Sequence, residues 1–215
     1  MKRTQFGVLL CAASWACAAR AQTAQQEHHS HPPQSAEEYA RVLEDPARDA
    51  WQKPHEVLEA LHLKGAETIA DIGAGTCYFA RRFARHAGLV YAEDIDAGLL
   101  EICRKDAPAN LKTVLGVPDD PKLAAGAADI VFFCDVMHHI GNRSAYLEKV
   151  KRALRSGGRV VVIDFHKRPL PVGPGPAMKI ARETMVEEFE KAGFQRVEEY
   201  EFLPYQYFLV FARIP

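Results

Sequence analysis

Short apolar runs rich in β-branched and aromatic residues recur at 67–72, 89–94, 111–115, 128–134 and 158–165, each bounded by turn residues, and each reads as a strand. Between and after them, residues 76–87, 97–107, 142–155 and 179–192 space their apolar positions three and four apart, the helical period. Strand and helix in alternation build a parallel sheet covered on both faces. After Gly193 the pattern changes: 195–202 and 205–213 are two strand-like runs joined only by Leu203 and Pro204, a connection that permits only an antiparallel pair. Upstream, 36–43 has weak helical periodicity, 45–54 is turn-rich, and 54–63 reads as a helix with proline in its first turn. The expected architecture is α/β: a doubly wound seven-stranded sheet, mostly parallel, closed by a C-terminal antiparallel β-hairpin, in one domain over 36–215.

The junction at residues 69–79 carries the clearest chemistry, since an apolar strand there ends in Asp71, Ile72, Gly73, Ala74, Gly75 and runs into the next helical segment. Glycines at 73 and 75 allow positive φ and close approach of the backbone to a ligand. The dinucleotide pattern Gly-x-Gly-x-x-Gly places its third glycine at 78, where Tyr78 stands and would obstruct a pyrophosphate. The pattern acidic-x-Gly-x-Gly-x-Gly fits better, meeting Asp71, Gly73 and Gly75 and departing only at Cys77. The strand at 89–94 ends in Asp94, 23 residues beyond Asp71, where a carboxylate can accept both hydroxyls of a ribose. The strand at 128–134 carries polar residues at its carboxyl end, from Cys134 and Asp135 to His138 and His139, and the strand at 158–165 follows a tight turn at Gly157 and Gly158.

This ordered set resembles the class I S-adenosylmethionine-dependent methyltransferases, whose fold is Rossmann-like, and is most similar to their small-molecule type over residues 40–215. The resemblance implies S-adenosyl-L-methionine as cofactor. It implies that the turn at Asp71, Gly73 and Gly75 holds the methionine part, that Asp94 holds the ribose, and that Val117 and Asp119, in the loop at 116–121, lie against the adenine. Cys134 completes the implied cofactor set, and segments ahead of the first strand fold over the cofactor, so that Tyr39 and Trp51 could line the acceptor pocket. Cys77 in place of the last motif glycine adds a Cβ and a sulfur where helix and strand pack closely; it is read as a small buried residue rather than a reactive thiol.

Composition narrows the partners. With 48% hydrophobic and 26% charged residues the chain is neither disordered nor a membrane bundle. A net charge of −1 and a pI near 6.8 supply no basic field, so nucleic acid is not the expected substrate. The amino terminus reads as a secretory signal peptide: Lys2 and Arg3, an apolar run at 6–18 too short to span a bilayer, and an Ala19, Arg20, Ala21 cleavage site. A periplasmic or secreted protein starting at Gln22, with no stable membrane anchor and a flexible polar leader to residue 35, is expected. His28, His29 and His31 read as solvated tail, and no metal is expected. Cleavage would leave Cys77, Cys103 and Cys134; of these, Cys77 and Cys134 map to the same sheet edge and could pair in an oxidising compartment.

Methyl transfer from a sulfonium is an in-line displacement that needs orientation above all. For a hydroxyl or amine acceptor His138 or His139 is the candidate base and Asp135 the candidate orienting group. The leading function is methylation of a small-molecule acceptor; the alternative is a binding protein that keeps the fold without turnover. A proline-rich loop at 168–176 could cover the acceptor.

Overall fold

The computed structural model describes residues 35–214. The signal peptide and histidine cluster predicted above lie outside the described residues. The elements, in order, are α1 (Ala36–Leu43), α2 (Asp49–Gln52), α3 (Pro54–Ala60), β1 (Thr68–Ile72), α4 (Ala80–Phe83), β2 (Leu89–Asp94), α5 (Ala97–Arg104), β3 (Leu111–Leu115), β4 (Ala128–Cys134), α6 (Arg143–Ala153), β5 (Leu154–Phe165), α7 (Arg182–Lys191), β6 (Phe194–Tyr200) and β7 (Gln206–Arg213).

The seven strands form one sheet in the order β3-β2-β1-β4-β5-β7-β6. The first five are parallel, while β7 runs antiparallel to β5 and to β6, to which it is joined by the short segment 201–205. Because side chains alternate along a strand, each strand feeds two cores. Ile69, Ile130, Phe132, Val161, Ile163 and Phe208 face α3 and α4, where they meet Val57, Phe79 and Phe83. Ala70, Ile72, Val131, Phe133, Val160 and Val162 face α6 and α7, where they meet Tyr146, Leu147, Val150, Met185 and Phe189. Phe132 is the hub of the first core, 5.0 Å from Phe79 and 4.9 Å from Phe83 between ring centroids. The strand order reverses at β1, from which the chain first adds β2 and β3 on one side and then crosses to β4 on the other, and at such a switch point a crevice opens beyond the carboxyl ends of the strands.

The helix expected at 76–87 is the main local departure. Cys77 has φ +73°, in the left-handed region, so residues 75–79 form turns and regular helix begins only at Ala80. The amide cluster of a full helix amino terminus is therefore not what the bend presents. The pairing expected between Cys77 and Cys134 is also not formed: Cys77 is joined to Cys103 of α5, and Cys134 is a buried free thiol. Cys134 lies on β4, whereas α5 crosses the face against which residues 75–79 pack, and sequence spacing could not reveal that placement.

Candidate active site

The bend after β1 is held from the end of β2. Ala74 donates its N–H to the Glu93 carbonyl at 2.8 Å, and Gly75 donates to Asp94 Oδ2 at 2.7 Å, while Asp94 Oδ1 accepts from Asp96 at 2.9 Å. Gly73 and Gly75 both have positive φ, and a Cβ built on Gly73 would meet Val136 at 2.3 Å. An alanine at either position would be strained by its backbone. The carboxylate of Asp94 is thus aimed at the bend, as the ribose reading requires. Each carboxylate oxygen carries two lone pairs, so one on each remains for a ligand hydroxyl.

Three carboxyl groups crowd this point. Asp71 and Glu93 are buried, Glu93 to 2% exposure, and Asp94 is 9% exposed. Burial, with some opposition from the Ala80 amide and Arg48, pushes Asp71 up to about 8. Burial and the neighbouring Asp94 and Asp71 push Glu93 up to about 8 as well. Glu93 Oε1 has no hydrogen-bond partner, and Gly116 is the residue whose lack of a side chain makes room for it. Once ionised, a cluster of this kind favours a cationic ligand, which a sulfonium is. Ile95 (58% exposed) and Val117 (36% exposed) present apolar surface at the exits of β2 and β3, suited to the face of a planar base. Asp119, in the same loop as Val117, lies on the surface with its carboxylate 3.6 Å from Lys149 of α6.

A second polar group lies over β4 and β5. Asp164, fully buried at the end of β5, accepts from His138 Nδ1 at 2.9 Å and from the Phe165 amide at 2.8 Å. This fixes the ring and leaves Nε2 as the nitrogen that Asp164 does not engage. Burial alone would lower the pKa of His138, but the bond to Asp164 and the charges of Asp164 and Asp135 together outweigh it and raise it. His139 lies against His138, ring centroids 4.2 Å apart and planes tilted by 42°. Asp135, also in the left-handed region at φ +61°, accepts from Gln206 Nε2 at 2.6 Å; Gln206 accepts from Gln52 at 2.9 Å, and Gln52 from Arg48 at 3.3 Å. Arg48 closes the ring at 3.9 Å from Asp135. Burial pushes Asp135 up to about 6 against the pull of Arg48. Cys134 places its thiol 3.7 Å from Asp135, and burial raises its pKa. Trp51 lies 5.9 Å from Phe165 and 6.4 Å from Tyr205, an aromatic wall beside this network. Gly173 of the proline-rich loop sits on the Phe165 ring.

Helix α1 lies across the crevice. A Cβ on Gly75 would meet Leu43 at 2.9 Å, and one on Gly98 would meet Ala36 at 2.8 Å. The helix buries no residue fully; it packs against α5, its amino end is closed by an internal Ser35–Glu38 capping box, and Glu44 just past its carboxyl end pairs with Arg81. Tyr39 is held within the combined field of Asp94, Arg48 and Asp135.

Asp71, Gly73, Gly75, Asp94, Cys134, Asp135, His138 and His139 therefore line one sheet edge. Sequence reasoning missed Glu93, Asp164, Arg48, Gln52 and Gln206. Glu93 and Asp164 share the signal that found Asp71 and Asp94, an acidic residue ending an apolar strand, whereas no pattern marks the other three.

Comparison with known proteins agrees with this layout. Residues 70–162 match the family model of the methyltransferase domain. The chain is 28% identical over 120 residues to demethylmenaquinone methyltransferase of Streptomyces avermitilis, covering 54% of this chain and 48% of that protein. It is 29% identical over 107 residues to the enzyme of the same name from Mycolicibacterium vanbaalenii, covering 50% and 46%. The chain spans about half the length of the curated relatives it matches. Among solved structures, an S-adenosylmethionine-dependent methyltransferase of Aquifex aeolicus superposes with a TM-score of 0.76 at 21% identity, over 81% of this chain and 96% of that one. The [4+2]-cyclase SpnF superposes at 0.64 with 15% identity, over 77% and 81%, so other chemistry also uses this fold. Residues 70–162 thus match a methyltransferase domain, and the chain has the Rossmann-like α/β fold of the S-adenosylmethionine-dependent methyltransferases it superposes on.

Proposed function

We propose that this protein transfers a methyl group from S-adenosylmethionine to a hydroxyl or amine of a small, partly planar acceptor. The observation that carries the reading is the joining, at one sheet edge, of two distinct devices: a glycine bend bonded to Asp94, and a histidine fixed by a buried aspartate. The first set suits the cofactor. Asp94 retains acceptor capacity for ribose hydroxyls, Ile95 and Val117 offer apolar surface to a base, and the buried carboxyls Asp71 and Glu93 favour positive charge. S-adenosylmethionine supplies an electrophilic methyl group.

The second set suits the acceptor. His138, with Nδ1 tied to Asp164, can take the acceptor proton at Nε2. Asp135, held by Gln206, is placed to orient the acceptor, and Trp51, Phe165 and Tyr205 offer it an aromatic wall. His139 lies against His138 and supports its ring. The names of the Streptomyces and Mycolicibacterium relatives, which act on a demethylated menaquinone, support a small organic acceptor. The amino-terminal sequence pattern, together with a disulfide among the described residues, supports a periplasmic or secreted location.

The test is methyl-labelled S-adenosylmethionine added with the protein to fractionated extract. Label in small organic compounds, lost in His138→Gln while cofactor binding is retained, is the expected result. Binding without transfer to any fraction would favour the alternative, a fold-retaining binding protein. The rate should rise with pH through the raised pKa of His138, because only the neutral imidazole accepts a proton.

A further inference from the structure

Cys77 stands where the acidic-x-Gly-x-Gly-x-Gly pattern has its last glycine, and its backbone keeps the conformation that glycine would adopt, φ +73°. A residue with a side chain holds that region only under constraint. Here the constraint is covalent, a disulfide to Cys103 near the end of α5, with the two Cα atoms 5.4 Å apart. The bond closes a loop 26 residues in span, and that loop contains the exit from the bend, α4, β2 with Asp94, and α5. Arg81 runs beside it, donating to the Thr76 carbonyl at 2.6 Å and to the Cys103 carbonyl at 3.2 Å. Both cysteines are fully buried, so a reductant reaches the sulfurs only through local opening.

We propose that the Cys77–Cys103 disulfide is the positioning device of the cofactor crevice, replacing the missing glycine and holding the bend against Asp94, so that cofactor affinity depends on the redox state of this pair. The inference rests on the reading of the crevice as an S-adenosylmethionine site. A dithiol reductant supplies two electrons and two protons; the sulfur–sulfur bond breaks, two thiols remain, and the reductant becomes a cyclic disulfide. Cys77 is then released from the left-handed region, residues 75–79 relax, and the Gly75 amide is no longer held on Asp94 Oδ2. Coupling is reciprocal: a ligand that prefers the tied bend protects the disulfide by the same factor by which the disulfide strengthens its binding.

The experiment uses the full mature chain and S-adenosylhomocysteine, which cannot react. Its affinity is measured by calorimetry before and after reduction by dithiothreitol, with near-ultraviolet circular dichroism recording whether the fold persists. About tenfold weaker binding after reduction is expected, with saturating ligand slowing reduction by a comparable factor. Cys77→Gly/Cys103→Ala should bind several-fold more tightly than Cys77→Ala/Cys103→Ala and be indifferent to reductant, a comparison that holds even if the reduced native chain unfolds. Equal affinity of the oxidised and reduced proteins, or equal affinity of the two double variants, overturns the inference and leaves the cofactor reading intact. An oxidised protein that binds no S-adenosylhomocysteine overturns both.

Discussion

Removing the Asp94 carboxylate should uncouple the bend from its ligand, and the size of the effect follows from its hydrogen bonds. In the free protein Asp94 Oδ2 accepts from Gly75 at 2.7 Å and Oδ1 from Asp96 at 2.9 Å. A ribose bound there adds one hydroxyl to each oxygen, and charge-assisted bonds of this kind contribute about 1.5–3 kcal/mol each. Asp94→Ala therefore removes about 3–6 kcal/mol of cofactor binding, at least ~100-fold in Kd. Asp94→Asn keeps one acceptor and should lose about half of that free energy. Calorimetry with adenosine as well as S-adenosylmethionine separates the parts, since adenosine carries the ribose without the methionine. The same substitution leaves two amides without acceptors, so Asp94→Ala should also lower stability by about 1–3 kcal/mol. Unchanged affinity for adenosine, within about threefold, would refute the ribose assignment even if stability fell.

Asp71 and Glu93, both raised to about 8 by burial, hold protons in the folded chain that the unfolded chain has released, so stability should fall as pH rises from about 5 to about 8. His138, raised by its bond to Asp164, contributes with the same sign and loses its contribution as pH rises above its folded pKa. Thermal melts of the free protein should accordingly show a Tm at pH 6 higher than at pH 8.5 by at least ~5 °C, at about 2–4 °C per kcal/mol for a chain of this size; a Tm rising with pH over that range would contradict the buried-carboxyl description. The preference for S-adenosylmethionine over its neutral demethylated product should widen over the same interval, because ionised carboxyls favour the sulfonium, and competition binding at the two pH values measures it. Leu43→Ala, which trims the contact of α1 with Gly75, should speed both association and dissociation of the cofactor in stopped-flow traces; unchanged rates would show that α1 does not limit entry.

The parallel sheet, its closing hairpin and the positions of Asp71, Gly73, Gly75 and Asp94 were legible in the sequence because each is a local signal: a period of two, a two-residue connection, an acidic residue ending an apolar strand. What escaped was set by tertiary placement. The helix at 76–87 starts late because a disulfide fixes Cys77 at positive φ, and the partner of Cys77 depends on how α5 crosses the sheet. Asp119 was assigned by loop position, yet Lys149 lies beside it on α6. Arg48, Gln52 and Gln206 gather around Asp135 from segments 154 residues apart, a meeting that no spacing rule encodes.

Calorimetric titration of the oxidised protein with S-adenosylmethionine and with S-adenosylhomocysteine tests the cofactor crevice most directly. Micromolar binding of both, stronger for the sulfonium at pH 8.5 than at pH 6, is the expected result. A folded protein that takes up neither compound would contradict the assignment of the Gly73–Gly75 bend and Asp94 to a nucleoside cofactor.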